Sequence, residues 1–448
     1  MQHGKADTVP GHQRSFLGPR GTSASACGSA WPQAWIRRWA LTLCMACLLL
    51  PLSAQAGDVA AGTDGSDRLK TGLDVLLDDG ARLLHGKRVG LITNMTGVDR
   101  ELHSTVDLLA NHPDVHLVAL FGPEHGVRGD VQAGDHVDDS RDAATGLPVH
   151  SLYGAHREPT PGMLRGIDVL VFDIQDVGAR FYTYPYTLAY ALRAAKRAGI
   201  AVVVLDRPNP IGGVLVEGPV LEPPQASFVG LYPIPVRHGM TIGELAGLFN
   251  TEFGIGATLQ VVRMQGWRRD AAEPGAALPW VPPSPNMPTP DTALVYPGTA
   301  LLEGTNLSEG RGTTRPFEIV GAPWIDATAL AARMNALDLP GVRFRPTWFT
   351  PSFSKHAGVA CAGVQLHVSD RAAFRPVRTG VALVATLQAM YPEAFRFEPV
   401  ETPFFDKLAG NDWIRGAILA GESWPAIEAR WQPGLSDFER LRAGHLLY

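Results

Sequence analysis

A chain of 448 residues is longer than one hydrophobic core usually serves, so two domains are expected. Apolar residues make up 45% and charged residues 19%, which suits a globular core and excludes a disordered chain. The formal charge of −5 comes with no Lys/Arg run in the body, which argues against nucleic-acid partners and tight docking on anionic lipid.

Arg37 and Arg38 precede an apolar run from Trp39 to Leu52, and Ala54, Gln55 and Ala56 follow. A positive flank, a short apolar stretch and small residues in an A-x-A arrangement describe a secretory signal peptide. The run is too short for a comfortable membrane span, so no stable membrane insertion is expected after cleavage. Residues 1–56 are therefore set aside as extension and signal peptide, and the protein is expected in the periplasm or outside the cell. Cys27, Cys44 and Cys47 fall before the inferred cut, which leaves Cys361 alone in the mature chain. That excludes an intrachain disulfide and a cysteine-based zinc site. Cys44 and Cys47 lie inside the apolar run rather than at its end, which weakens a lipoprotein reading.

Beyond it, Lys87–Thr93 reads as a strand and Ser104–Asn111 as a helix capped by Ser104, with Asp107 three residues on. His116–Phe121 is the next strand. Ile167–Ile174 is nearly continuous in apolar residues, as in a parallel strand covered on both faces. Tyr186–Ala198 places Leu188, Ala191, Leu192 and Ala195 on one helical face, and Gly199 ends it. Ile200–Leu205 is a further strand, and Thr241 with Glu244 forms a capping box. This β-α-β-α rhythm predicts an α/β fold with a doubly wound parallel sheet over residues 57–290. The proline-dense Trp280–Pro290 reads as a linker or cleft-lining loop. After it, helical runs at Asp326–Leu337 and Val377–Tyr391 alternate with β-rich pieces at Val342–Phe349 and Val359–Val368. Residues 291–448 are therefore read as a smaller α+β domain.

Ligands of open parallel sheets bind beyond the carboxyl ends of the strands. The residues there are polar: Asn94 after the first strand, Glu124 and His125 after the second, Asp173, Gln175, Asp176 and Arg180 after the third, Arg207 and Asn209 after the fourth. No loop carries a dinucleotide or P-loop fingerprint, so no cofactor is expected. Glu124 sits in a Gly-Pro-x-x-Gly turn beside His125, where a partly buried carboxyl acts as a general acid. Asp173 and Asp176 suit sugar hydroxyls, a second acid/base role or simple helix capping. Arg180 and Arg207 suit a substrate carboxylate or a local aspartate, and Tyr182 and Tyr184 suit a stacking wall for a sugar ring. His238 is placed to meet the same rim. A second polar cluster, Glu303–Thr314, contains Asn306, Ser308 and Arg311 and suits a loop facing the first domain.

Seven blocks in order resemble one family: GLITNMTG (Gly90–Gly97), FGPEHGVRGD (Phe121–Asp130), FDIQDVGARFYTY (Phe172–Tyr184), LDRPNPIGG (Leu205–Gly213), PVRHGMTIGEL (Pro235–Leu245), PSPNMP (Pro283–Pro288, with Asn286) and EGTNLSEGRGTTRPFE (Glu303–Glu318). Together they are similar to the exo-β-N-acetylmuramidases of glycoside hydrolase family 171. The resemblance implies a Rossmann-like domain without nucleotide, a smaller domain closing a cleft, and release of N-acetylmuramic acid from the non-reducing end of MurNAc-GlcNAc fragments of peptidoglycan. It places the catalytic acid on Glu124. An arginine, Arg180, Arg207 or Arg311, would meet the lactyl carboxylate. The substrate's 2-acetamido group would replace a protein nucleophile, with Asp173 and Asp176 polarising it. Two other readings stay open: a non-catalytic amino-sugar-binding protein, and a metal-dependent hydrolase using His125, Asp173, Asp206 and His238. The second has no H-x-H or H-E-x-x-H spacing behind it.

Overall fold

The computed structural model describes residues 69–129, 138–271 and 278–448, which belong to a single compact unit; the inferred signal segment lies outside them. Strands β1 (Arg88–Thr93), β2 (His116–Gly122), β3 (Ser140–Arg141), β4 (Pro148–Ser151), β5 (Val169–Asp173) and β6 (Ala201–Leu205) are followed by β7 (Glu217–Val220), β8 (Pro235–Arg237) and β9 (Leu259–Val262). Seven of them form one sheet in the order β3-β4-β2-β1-β5-β6-β9, parallel throughout except for β3 against β4. The expected doubly wound sheet is present, with its strand order reversing between β1 and β5.

Both faces of this sheet are covered, which explains the unbroken apolar runs. On β5, Val169 and Val171 point into one core while Leu170 and Phe172 point into the other; on β6, Val203 and Leu205 oppose Val202 and Val204. Helices α1 (Gly72–Asp78) and α2 (Thr105–Ala110) cover the first face, with Leu73, Leu76, Val106 and Leu109. Helices α3 (Tyr184–Ala198) and α4 (Ile242–Glu252) cover the second, with Leu188, Ala191, Leu192, Ile242 and Ala246. Gly199 ends α3 in the left-handed region, and Thr241 and Glu244 close the expected capping box on α4.

The C-terminal domain is built on a three-stranded antiparallel sheet, β10 (Ile319–Ala322), β11 (Val342–Phe349) and β12 (Cys361–Val368), in the order β10-β12-β11. Helices α5 (Pro290–Thr299), α6 (Ala327–Asn335), α7 (Pro376–Met390), α8 (Phe404–Ala409), α9 (Trp413–Leu419) and α10 (Trp424–Ala443) complete the domain, with α6 packed on β11 and β12 and α10 on β7. Gly298 lets α5 touch α7, since a Cβ there would lie 1.9 Å from the Pro376 carbonyl. The core that begins on β5 and β6 continues without a break through Leu301, Val320, Val364, Leu383 and Phe405.

A buried acid on the β7–β8 ribbon sets a pH prediction. Burial pushes the Glu217 carboxyl up to about 7, against the pull of the Arg378 backbone N–H and Arg237. Its folded value lies above its unfolded one, so its contribution is fully present below pH ~4.5 and is lost as pH rises through about 7, on the order of 3 kcal/mol. Glu217→Gln removes this titration. Thermal unfolding of the two proteins from pH 5 to 8 should show the variant gaining several degrees on the wild type at the alkaline end. Parallel curves would contradict it.

Candidate active site

Glu124 stands at the end of β2 in a turn closed by the Gly126 N–H on the Pro123 carbonyl. His125 and Gly126 both take positive φ, 74° and 76°, a conformation that a histidine adopts only when its surroundings impose it. The turn thereby fixes a half-buried carboxylate. Thr183, at the N-cap of α3, makes no capping bond; its hydroxyl donates instead to Glu124 Oε2 at 3.0 Å. The Tyr153 phenol, from the loop after β4, faces the same carboxylate, and burial together with the charge of Glu124 pushes it up to about 12.

These groups form one wall of a cleft of about 1040 Å³. The opposite wall comes from the C-terminal domain: Glu303, Arg311, Phe317, Phe353 and Lys407. Arg311 bridges two carboxylates, Glu303 at 3.1 Å and Glu309 at 2.9 Å, over the Phe317 ring. Burial and the charge of Glu309 raise the Glu303 carboxyl above its ordinary value although Arg311 pulls it down. Tyr296 feels both sides, its phenol pushed far up by burial and by the charges of Glu303 and Glu124. The cleft thus holds two carboxyl groups, one from each domain, among aromatic rings.

Of the residues singled out in the sequence, Glu124, His125, Tyr182, Tyr184, Asn286 and Arg311 line this cleft. Tyr182 and Tyr184 do not form a stacking wall: they are buried edge to face, 5.0 Å apart, and the Tyr184 hydroxyl donates to the Pro283 carbonyl. The rest serve the fold. Asp173 is fully buried, with Arg207 on its two oxygens at 2.5 and 2.9 Å and the Thr105 hydroxyl at 2.6 Å. Neither Asp173 nor Arg207 is offered to the cleft, which corrects the reading of both as substrate-facing. Arg180 is spent on the carbonyls of Pro219, Ile234 and Leu408. Asn94 accepts from the Thr96 backbone and hydroxyl, Gln175 donates to the carbonyls of Asp176 and Pro208, and Asn209 ties Ile211 to Met240. Asp176 accepts from the Gly178 N–H and lies 3.6 Å from His238, which is itself wholly buried. Asn306 joins the Ala394 carbonyl to the Arg396 N–H, and Ser308 accepts from Gly310.

The polar loops at the β1/β5 reversal therefore fill their own crevice. A gap of about 30 Å³ remains there, lined by Thr96, Gln175 and Arg207 among others. The working cleft is displaced to the β2 and β4 side. The four residues of the metal reading are also separately engaged, Asp206 by Thr241, Gly243 and Tyr448 and Asp173 by Arg207. Among the described residues, the one carboxylate-histidine group compact enough to hold an ion is Asp99, Glu101 and His103, outside the cleft.

Residues missed in the sequence are Tyr153, Arg157, Thr183, Phe228, Tyr296, Phe353 and Lys407, all in the lining. Glu303 was visible as the head of the second polar cluster, and its carboxylate was overlooked in favour of Arg311.

The chain matches the family models for the N-terminal part of the exo-β-N-acetylmuramidase NamZ over residues 89–291 and for its C-terminal part over residues 294–448. It is 57% identical over 381 residues to a peptidoglycan β-N-acetylmuramidase NamZ of Bacillus subtilis, spanning 85% of this chain and 92% of that protein. Two crystal structures of DUF1343 family proteins from Bacteroides fragilis share the fold. One has a TM-score of 0.80 at 42% identity and the other 0.69 at 31%, each covering 85% of this chain and 99% of its own. The chain belongs to the NamZ family of exo-β-N-acetylmuramidases, glycoside hydrolases.

Proposed function

We propose that the protein removes terminal non-reducing N-acetylmuramic acid from peptidoglycan fragments, with Glu124 as general acid and base. The observation that carries this is the Glu124 carboxylate, held by the Thr183 hydroxyl and faced by the Tyr153 phenol, in the wall of a cleft between the two domains. Glu124 gives its proton to the glycosidic oxygen as the C1–O bond breaks, and the substrate's acetamido oxygen closes on C1 to form an oxazolinium. Glu124, now a carboxylate, takes a proton from the water that reopens this ring at C1. Glu303 is the second carboxyl of the cleft and accepts a hydrogen bond from the acetamido N–H, holding that group for attack. It takes the part that Asp173 and Asp176 were expected to play. Export before action belongs to this reading and rests on the signal-like segment.

The test is incubation of the purified protein with a MurNAc-GlcNAc disaccharide and with a chromogenic N-acetylmuramide. Release of free N-acetylmuramic acid from both supports the reading; binding without turnover would make the protein an amino-sugar-binding module instead. Glu303→Gln should lower kcat/KM by about 10- to 100-fold, as expected for one charged hydrogen bond. Its loss should be equal on both substrates, because Glu303 does not serve the leaving group. An unchanged kcat/KM would remove Glu303 from the mechanism.

A further inference from the structure

Muramic acid differs from N-acetylglucosamine by a lactyl ether on C3 that ends in a carboxylate. A site that selects it needs a cation with its donors unspent. Among the described residues three cations line the cleft: Arg157, Arg311 and Lys407. Arg311 is held between Glu303 and Glu309 and is already neutralised. Lys407 is exposed at the rim, where the cleft meets a second basin that it shares with the carboxylates of Glu303 and Glu398. Arg180 and Arg207 are buried in the fold, as described above.

Arg157 is also exposed, but its guanidinium is seated on an aromatic ring. Its guanidinium carbon lies 4.2 Å from the centroid of the Phe228 ring, which is itself stacked on Tyr190 and tilted against Tyr153. Seating on a ring restrains the guanidinium while leaving its edge N–H groups for a planar acceptor. No carboxylate or carbonyl of the described residues takes them. The phenol of the same Tyr153 that touches Phe228 feels the charges of both Glu124 and Arg157. Cation and acid thus both lie near one tyrosine. In the sugar the lactyl ether and the scissile oxygen are separated, on C3 and C1, by the carbon bearing the acetamido group.

We propose that Arg157, seated on Phe228, reads the lactyl carboxylate of the terminal muramoyl residue and so makes the cleft selective for muramic acid. This rests on the muramidase reading above. It replaces the arginines that the sequence offered for the task with one that the sequence left unremarked.

The experiment compares kcat/KM for a chromogenic N-acetylmuramide and for its lactyl methyl ester, which keeps the shape and loses the charge. Wild type should prefer the acid by about 10- to 100-fold, the range of a bidentate charged pair. Arg157→Ala should erase that preference, chiefly through KM, and keep its activity on the ester; Arg157→Lys should restore part of it. A preference that survives Arg157→Ala overturns the proposal and leaves the muramidase reading standing. So does equal hydrolysis of acid and ester by wild type, or an equal loss on both in Arg157→Ala. Wild type that hydrolyses neither compound would instead overturn the muramidase reading itself.

Discussion

Glu124→Gln is expected to lower kcat on the disaccharide by about a hundredfold to ten-thousandfold, the range for removing a positioned proton donor. The amide keeps the size of the carboxyl and can accept from Thr183, so the turn should survive and thermal unfolding should be near that of wild type. The diagnostic is the leaving group. A sugar alkoxide needs the proton as it departs, whereas a nitrophenolate does not. The variant should therefore lose far more activity on the disaccharide than on the nitrophenyl muramide. Equal losses on the two substrates would mean that Glu124 does not protonate the departing oxygen.

The second large effect concerns stability. Asp173 and Arg207 form an ion pair with the Asp side chain fully buried and the Arg side chain 4% exposed. Removing one partner strands the other charge, at a cost of about 3–5 kcal/mol. Arg207→Ala should therefore shift denaturant unfolding by that amount. The double variant Asp173→Asn/Arg207→Met should recover a substantial part, because two neutral groups need no counter-charge. Whatever Arg207→Ala protein folds should turn over substrate with a kcat close to wild type. A large kcat defect in folded Arg207→Ala, with stability unchanged, would return the pair to the catalytic machinery.

That pair also shows where sequence reading stops. The strands β1, β2, β5 and β6 were legible because burial on both faces demands unbroken apolar runs. The Thr241–Glu244 cap was legible because its two reciprocal bonds need those residue types at that spacing. Polar residues at strand ends were equally plain, but a polar side chain there either faces a ligand or satisfies a neighbouring loop. Asp173, Arg207, Asn94 and Asn209 do the second, and their residue types are the same in both cases. Glu124 does line the cleft, carried there by the turn that Gly126 closes on Pro123. Tyr153 and Arg157 escaped notice because β4 is only four residues long and begins with Pro148, which gives no periodic signal. Helices α5 and α10 were missed for a related reason, since each carries an internal proline, Pro297 and Pro433.

Tyr448 bears on how the protein is made. Its hydroxyl donates to Asp206 at the end of β6 and accepts from the Met264 N–H, while the Leu447 N–H donates to Glu244 at the start of α4. Residues about two hundred positions earlier, already bonded within their own half, thus gain their last partners from Leu447 and Tyr448. The N-terminal sheet cannot reach its finished state while the C-terminal half is still being synthesised. A chain cut at the junction near residue 290 would leave Asp206 short of its phenol partner.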